Sequence, residues 1–403
     1  MSRLEIQQVH MPKDAGRFVK SWWRVYRDDP MWVPPLVFER KAFFDPKKNP
    51  YWNNAHAGYF MAIRDGEAVG TIGVCVDHLY QQDDEGCGFF GFFEFVDDVD
   101  VARALFEAGC AWLREQGMVR VLGPFMFNTN QEFGLLVDGF DTTPTIANPH
   151  NSAYYEAIYL ELGLKKAMNW YAYLLPRELG VPPKIKRVSD WYLKRHPEVN
   201  IRTVDVSRWD EEAALIYKVY DDAWENNWAH VKLTEPEFKK LTADFKQILD
   251  PSLCFIVEVD GEVAGMSITL PDYNKVVKKM NGGLFPFGWY HFLFGRKAID
   301  QIRIFILGIR QEYQHMPLGA PIYVKTWERG LEMGMRAAEA SLILETNHRM
   351  RGALEKMGAY AYKTYRTYEF LLSDEVSWSE LTQKALDGEH IADPPPYEMR
   401  PPK

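Results

Sequence analysis

The chain has 403 residues, with 47 basic and 56 acidic side chains and a formal net charge of −9. The acidic balance argues against a nucleic-acid-binding protein held by bulk charge, and the ordinary charged fraction of 26% argues against a disordered chain. The four cysteines are scattered without a CxxC pair, which fits neither a disulfide framework nor a zinc site and suits a reducing compartment.

The start of the chain is polar and mixed in charge, without the apolar core of a signal peptide. No uninterrupted apolar stretch of about 18 residues occurs, so no transmembrane helix is expected. The ten histidines never fall at ligand spacing, so no metal is expected either. We therefore expect a soluble cytoplasmic protein.

In chain order, the same landmarks occur twice, 195 or 196 residues apart. The paired landmarks are IQQV at Ile6 and IRTV at Ile201, GEAVG at Gly66 and GEVAG at Gly261, and helix-like runs that open at Asn151 and Asn347. Short strand–turn patterns also recur by chance, since Asp-Gly turns are common. We interpret the pattern as a tandem duplication. It predicts a first unit at 1–175, a linker at 176–200, a second unit at 201–375 and a proline-rich tail at 376–403.

Each unit shows the same order of predicted elements. A short strand precedes amphipathic helices, a hairpin with an Asp-Gly turn, a third long strand, a helix, a buried strand, another helix and a last strand. The matching segments are helices 14–26 and 211–224, strands 89–96 and 302–309, helices 101–116 and 321–334, strands 119–124 and 340–346, and last strands 170–175 and 365–372. This order predicts an α+β fold in which each unit is a bent mixed sheet flanked by helices.

This β-α-α-β-β-β-α-β-α-β order resembles the GNAT superfamily of acyl-CoA N-acyltransferases, in two tandem copies. The resemblance implies that the loop after the third long strand binds the pyrophosphate of coenzyme A, since glycines and a helix N-terminus favour phosphate there. In the second unit that loop supplies Gln314, His315, Gly319 and Ala320, of which only Gly319 and Ala320 closely fit the family pattern. Acyl-CoA is then a co-substrate, and no permanently bound cofactor is expected.

The corresponding loop of the first unit has a different character. Asp97, Asp98 and Asp100 stand at the predicted helix start, where carboxylates suit the helix dipole as caps and would repel a pyrophosphate. We therefore expect the first unit to lack coenzyme A binding.

Acylation of an amine requires a base, and Glu345 is the predicted one. It ends an apolar strand, where desolvation raises the pKa of a carboxyl. A structural pairing with Arg349 or Arg351 explains Glu345 equally well. The resemblance implies that Asn347 lines the acyl-CoA channel.

The tyrosine that often protonates the departing thiolate in GNAT enzymes is replaced here by Leu354. Tyr365 is the predicted substitute, with Tyr362 and Tyr368 beside it. An aromatic strand packed on the core explains the three tyrosines without any catalytic role.

A polar block in the first unit predicts binding of the acceptor. Asn128, Asn130 and Glu132 follow a buried strand, and Tyr154 and Tyr155 start the next helix. Turn and cap roles are the alternative for the asparagines. The block NxNxEFGLLVDGF, followed by NxxYY, resembles a group of bacterial double-domain GNAT-like proteins that includes bacterial ceramide synthases.

An aromatic run at 283–297 lies between strands of the second unit and is flanked by lysines and arginines. It is too short to span a bilayer, and it fits an interfacial membrane anchor, a lid over an apolar tunnel, or a core helix.

These features predict an N-acyltransferase that moves an acyl group from acyl-CoA to an amine, on a hydrophobic acceptor such as a sphingoid base. It would act in the cytoplasm, with contact to the inner face of the membrane, and no nucleic-acid partner is expected. One alternative is an aminoacyl-tRNA donor, which requires a basic groove. Another is a non-catalytic module that binds lipid or acyl-CoA, favoured by the degenerate glycines and the missing tyrosine.

Overall fold

The structure is a computed structural model that describes residues 3–225 and 227–373. The predicted tail at 376–403 lies outside the described residues. We use "first unit" for residues 1–175 and "second unit" for residues 201–375 throughout.

The first unit begins with a strand and three short helices. Its elements are β1 (Leu4–Val9), α1 (Ala15–Lys20), α2 (Trp22–Val25), α3 (Val37–Phe43), β2 (Ala55–Arg64), β3 (Glu67–Asp77), β4 (Cys87–Phe95), α4 (Val99–Glu115), β5 (Arg120–Gly123), β6 (Leu135–Asp138), α5 (Tyr154–Glu161) and β7 (Lys165–Pro176). The helix predicted at 14–26 is divided at Ser21, whose hydroxyl donates to the Phe18 carbonyl at 2.7 Å. Such back-bonding by serine competes with regular helix geometry.

The second unit repeats the plan and adds a helical insertion before its third long strand. One helix, α6 (Pro183–Arg195), lies in the predicted linker. The remaining elements are β8 (Val199–Thr203), α7 (Trp209–Trp224), α8 (Glu235–Phe245), β9 (Cys254–Val259), β10 (Glu262–Pro271), α9 (Asn274–Met280), α10 (Gly288–Phe294), β11 (Gln301–Ile309), α11 (Gly319–Glu332), β12 (Ala337–Leu344), α12 (His348–Lys356) and β13 (Tyr360–Leu371). Within the described residues, no helix is both long and apolar enough to cross a bilayer.

Both predicted hairpins form, as β2–β3 and β9–β10. At their tips Asp65-Gly66 and Asp260-Gly261 all have positive φ, from 51° to 83°. Two consecutive residues with positive φ match the twist of an antiparallel ribbon, and Asp-Gly is a favoured pair for that geometry.

The strands form one continuous sheet in the order β1-β2-β3-β4-β5-β13-β7-β12-β11-β10-β9-β8, with β6 paired to β13. The last strand of the second unit therefore lies against β5 of the first, and the last strand of the first lies against β12 of the second. Strands β13 and β7 pair with each other, with Tyr365 opposite Trp170. The two units thus exchange their last strands.

A cleft opens where two parallel strands of the second unit separate. Strands β11 and β12 pair only where Gln301–Ile304 lies beside Ala337–Ala340. Both strands continue for several residues beyond this paired region. The first unit has the same divergence after β4 and β5, but its opening is filled. The Phe125 N–H donates to the Phe90 carbonyl at 2.8 Å, and a Cβ on Gly91 would lie 1.6 Å from the Phe125 carbonyl oxygen.

Candidate functional site

The cleft between β11 and β12 leads into a cavity of about 1150 Å³. This exceeds the roughly 300–1,000 Å³ of common small-molecule sites. Residues 303–309 and 340–344 form its strand walls, and the starts of α11 and α12, the α7–α8 connection and the first-unit loop at 126–133 complete it. The aromatic side chains of its wall are Phe133, Trp170, Tyr220, Trp224, Trp228, Phe245, Phe305 and Tyr323, besides the two histidines His230 and His348.

The N-terminus of α11 opens onto this cavity. Gly319 and Ala320 begin the helix and line the cavity, and Leu318 at the N-cap provides no side-chain hydrogen bond to the first turn. The first N–H groups of a helix have no intrahelical acceptor, and the helix dipole is positive there. Lys184, Arg349 and Lys356 also line the cavity. This combination suits an anion such as a pyrophosphate.

Four of the residues predicted from the second unit come together at this cavity. Gln314, Gly319, Ala320 and Asn347 all line it, whereas His315 is exposed and lies outside the lining. Asn347 caps α12, since its side chain accepts the Met350 N–H at 3.0 Å.

Glu345 is not brought to the cavity. Its carboxylate accepts the Asn169 N–H at 3.0 Å and forms a salt bridge with Lys166 at 2.9 Å. Both partners lie on β7, which the strand exchange places beside β12. Lys166 and the Asn169 N–H therefore take the place of the expected partners of the carboxylate, Arg349 or Arg351. Arg351 instead donates to the Glu345 backbone carbonyl at 2.6 Å.

The three predicted tyrosines, Tyr362, Tyr365 and Tyr368, lie on β13, are buried in the sheet and lie outside the cavity lining. Tyr362 donates to Glu339, and Tyr368 donates to Glu156 at 2.9 Å. The hydroxyl of Tyr365 is buried without a hydrogen-bond partner among the described residues.

Two predicted acceptor-site residues of the first unit line the cavity. Glu132 forms an ion pair with Arg40, whose Nη2 donates to both carboxylate oxygens at 2.7 Å. The Asn130 side chain donates to the Val231 carbonyl at 2.7 Å and accepts the Tyr220 hydroxyl. Asn130 therefore ties the first unit to the α7–α8 connection of the second.

The other predicted acceptor residues lie elsewhere in the first unit. Asn128 is buried, and its side chain accepts the Asn130 N–H at 3.0 Å, as in the turn alternative. The Tyr155 hydroxyl donates to Glu94 at 2.9 Å, and the Tyr154 hydroxyl donates to the Phe95 carbonyl. Burial raises the pKa of Glu94 to about 7, although hydrogen bonds from Tyr26 and Tyr155 oppose the shift.

A polar floor that the sequence did not reveal lies where β11 and β12 separate. Arg303 and Ser341 line the cavity there. The Arg303 guanidinium donates to the Ser341 hydroxyl at 3.0 Å, to the Ser341 carbonyl at 3.1 Å and to the Ile146 carbonyl. Its five N–H groups exceed these three bonds, so two N–H groups have no hydrogen-bond acceptor among the described residues. Burial lowers the pKa of Arg303, and the nearby Glu339 opposes that shift.

Glu339 lies directly behind this floor, opposite Arg303 in the strand register. It is fully buried and accepts hydrogen bonds from Thr145 and Asn148, both at 2.6 Å, and from the hydroxyls of Ser341 and Tyr362. Four donors satisfy the buried carboxylate, as a buried charge requires.

His230 is a second feature that sequence reasoning missed. It lies in the α7–α8 connection and lines the main cavity. Burial lowers the pKa of His230, so its imidazole is neutral near pH 7. Within residues 3–225 and 227–373 no side chain or backbone group bonds to its ring nitrogens.

A second cavity of about 830 Å³ adjoins the first, and Asn227, Trp228 and His230 line both. Its wall carries five carboxylates and four basic side chains, in contrast to the basic groove that a tRNA donor requires. The charged residues are Asp83, Asp84, Asp221, Asp222, Glu225, Arg120, Lys218, Lys232 and Arg310. No group of acidic, histidine or cysteine side chains in the described residues is arranged to hold a metal ion.

No protein-family model matches the chain. Two curated proteins are similar over nearly its whole length. The chain is 35% identical over 376 residues to the bacterial ceramide synthase of Caulobacter vibrioides, which covers 91% of this chain and 97% of that protein. It is also 35% identical over 364 residues to protein YghO of Escherichia coli, with 88% and 92% covered.

Solved structures share the fold at low sequence identity. A tandem GNAT protein from the clavulanic acid biosynthesis pathway matches with a TM-score of 0.55 and 12% identity, covering 92% of this chain and 99% of that one. A GNAT N-acetyltransferase from Sphaerobacter thermophilus matches with a TM-score of 0.50 and 11% identity, covering 93% and 98%. These likenesses confirm the predicted tandem GNAT fold.

Proposed function

Because the chain belongs to the family of the bacterial ceramide synthase and YghO and is an N-acyltransferase of the GNAT fold, we propose that it transfers an acyl group from coenzyme A to a hydrophobic amine. A sphingoid base is the acceptor that the family relationship favours. The observation that carries the proposal is the single cavity that joins an open helix N-terminus to a large aromatic wall.

Coenzyme A would enter with its pyrophosphate at Gly319 and Ala320. The N–H groups and dipole of α11 favour an anion at this position, and Lys184, Arg349 and Lys356 add positive charge. These interactions do not depend on the acyl chain, so they serve donors of any length.

The acyl chain and the acceptor would occupy the apolar part of the cavity. Trp170, Trp224, Trp228 and Phe245 offer a wide aromatic surface, which a donor with only an acetyl group would leave largely unused. A long acyl chain buries far more apolar area there, at roughly 25 cal/mol per Å².

The reacting carbonyl would lie over the polar floor. Spare N–H groups of Arg303 can donate to the oxyanion that forms when the amine attacks the thioester carbon. The tetrahedral intermediate then collapses: the carbon–sulfur bond breaks, the attacking nitrogen loses its remaining extra proton to the departing sulfur, and coenzyme A leaves as a free thiol while the amide remains.

His230 is the base that this geometry favours. An ammonium acceptor must lose a proton before it can attack, and a neutral imidazole on the cavity wall can accept it. In this role His230 replaces Glu345, whose carboxylate is held by Lys166 and the Asn169 backbone.

The test is to supply palmitoyl-CoA or acetyl-CoA together with sphinganine, to measure free thiol, and to identify the amide by mass spectrometry. We expect thiol release that requires both substrates and is faster with palmitoyl-CoA. Absence of thiol release together with absence of palmitoyl-CoA binding by calorimetry refutes the proposal. Equal rates with acetyl-CoA would refute the long-chain assignment alone.

A further inference from the structure

The insertion between β10 and β11 exposes an aromatic surface. Seven of the thirteen large hydrophobic side chains that are exposed in the described part of the chain lie between 285 and 294. They are Phe285, Phe287, Trp289, Tyr290, Phe292, Leu293 and Phe294, and their exposure ranges from 37% to 85%. We call residues 284–297 the aromatic tip. Their exposure contradicts the alternative that this segment is a core helix.

The base of the insertion is fixed to the rest of the protein. Val276 and Met280 of α9 are buried in a cluster with Leu36 of the first unit. The Val37 N–H donates to the Gly282 carbonyl at 3.0 Å, and the Trp23 indole donates to Asn281 at 2.8 Å. A firmly held base and an exposed tip distinguish this segment from a loose loop.

The insertion is basic in an acidic protein. From 275 to 297 it contains Lys275, Lys278, Lys279, Arg296 and Lys297, which give a charge of +5, and no acidic residue. The whole chain has a charge of −9. Lys279 and Lys297 are exposed and form no salt bridge within the described residues, and Arg296 reaches Asp250 only at 3.8 Å. The surface that carries the aromatic tip is therefore complementary to an anionic one.

We propose that the aromatic tip inserts into the interfacial region of an anionic lipid bilayer. Tryptophan and tyrosine favour the headgroup level, phenylalanine and leucine favour the acyl boundary, and flanking lysines pair with anionic headgroups. Helix α10 has seven residues and is about 10 Å long, so it enters one leaflet and does not span the membrane.

The location of the tip connects it to the cavity. Ile146 packs against the cluster at the base of the insertion, and the next residue, Ala147, lines the cavity. The purpose of this docking rests on the proposed function, since a hydrophobic amine resides in a bilayer and not in water. The docking itself is a property of the surface and is tested separately.

The test is sedimentation of the full chain with phosphatidylcholine vesicles, with and without added phosphatidylglycerol. We expect binding to anionic vesicles that weakens with salt. Replacing Phe287, Leu293 and Phe294 together by serine should lower the partition coefficient at least a hundredfold, since each buried apolar side chain contributes about tenfold. Replacing Lys279 and Lys297 by glutamine should lower it about fivefold per charge on anionic vesicles only.

The matched control replaces Leu160 and Trp191, which are similarly exposed on α5 and α6, by serine. We expect vesicle binding unchanged from the parent. Absence of parent binding, or equal binding by the Phe287, Leu293 and Phe294 variant, overturns the inference. Self-association of the parent that the same variant abolishes, without vesicle binding, would instead make the tip an interface between copies.

Thiol release in vesicle-free solution with a short-chain amine separates the two proposals. The parent and the tip variant should release thiol at equal rates, because the tip lies outside the cavity lining. Vesicle binding without thiol release, with sphinganine also failing as acceptor and palmitoyl-CoA failing to bind, would refute the proposed function and support docking. Thiol release without vesicle binding would refute the docking and support the proposed function.

Discussion

Replacing Ala320 by glutamate should weaken coenzyme A binding and at the same time stabilise the fold. Ala320 is the second residue of α11, is partly exposed and lines the cavity. A carboxylate in the first turn of a helix interacts favourably with the dipole, typically by about 0.3–1 kcal/mol. The same carboxylate would lie beside the position proposed for the pyrophosphate.

The expected loss of affinity follows from Coulomb's law. Two like charges about 5 Å apart at an effective dielectric constant of about 20 repel each other by about 3 kcal/mol. That energy corresponds to more than a hundredfold increase in Kd. The two effects have opposite signs, so a variant that merely unfolds cannot reproduce them.

Calorimetric titration with coenzyme A measures the Kd, and thermal unfolding measures stability. Replacing Ala320 by glutamine is the matched control, because it has the same shape without the charge. We expect the glutamine variant to bind within a few-fold of the parent. Equal Kd values for the glutamate and glutamine variants would refute a phosphate site at the start of α11.

Three further predictions concern the polar groups. His230→Gln should lower kcat for thiol release about 100-fold or more and remove the rise of the rate with pH, because only the neutral imidazole accepts a proton. The control His10→Gln, at an exposed site, should leave the rate unchanged. Arg303→Met should lower the free energy of unfolding by about 3–5 kcal/mol, because it removes the guanidinium that lies opposite the buried Glu339 carboxyl group. Urea unfolding should show that adding Glu339→Gln restores at least about 1 kcal/mol, and simple additivity would contradict the coupling. The pKa of Glu94 is raised from 4.5 to about 7, so its contribution to stability is complete below pH 4.5 and is lost as pH rises through 7. From about pH 5 to about pH 8, the free energy of unfolding obtained from urea titrations should fall by about 3 kcal/mol more for the parent than for Glu94→Gln.

Much of the fold was predictable because its signals are local. The Asp-Gly pairs at 65–66 and 260–261 encode two positive φ angles, and the alternating strands beside them encode one buried face. Their recurrence at one offset predicted two copies of one plan, and the structural likenesses confirm that fold. The start of α11 was predicted to within two residues, since the helix expected at 321–334 begins at Gly319, and Gly319 and Ala320 were expected in the loop before it.

Other features of the site depend on contacts between distant parts of the chain. The polar floor at Arg303 rests on Glu339 behind it, and Glu339 in turn accepts from Thr145 and Asn148. These residues lie up to 194 positions apart, and none of them belongs to a local motif. His230 follows a helix in a connection without a distinctive pattern. Asn130 has the polar character expected of a binding residue, yet its side chain bonds across the two units.

The sequence by itself determined the tandem order of strands and helices, the hairpin turns and, to within two residues, the start of α11. The tertiary structure alone decided that the last strands are exchanged and that Glu345 is held by Lys166 while His230 lines the cavity. The physical reason is that hydrophobic periodicity specifies which side chains are buried but not which strand edge lies beside them. Strands β7 and β13 both carry many aromatic side chains, and neither has a local signal for its neighbour, so only the assembled chain selects the pairing.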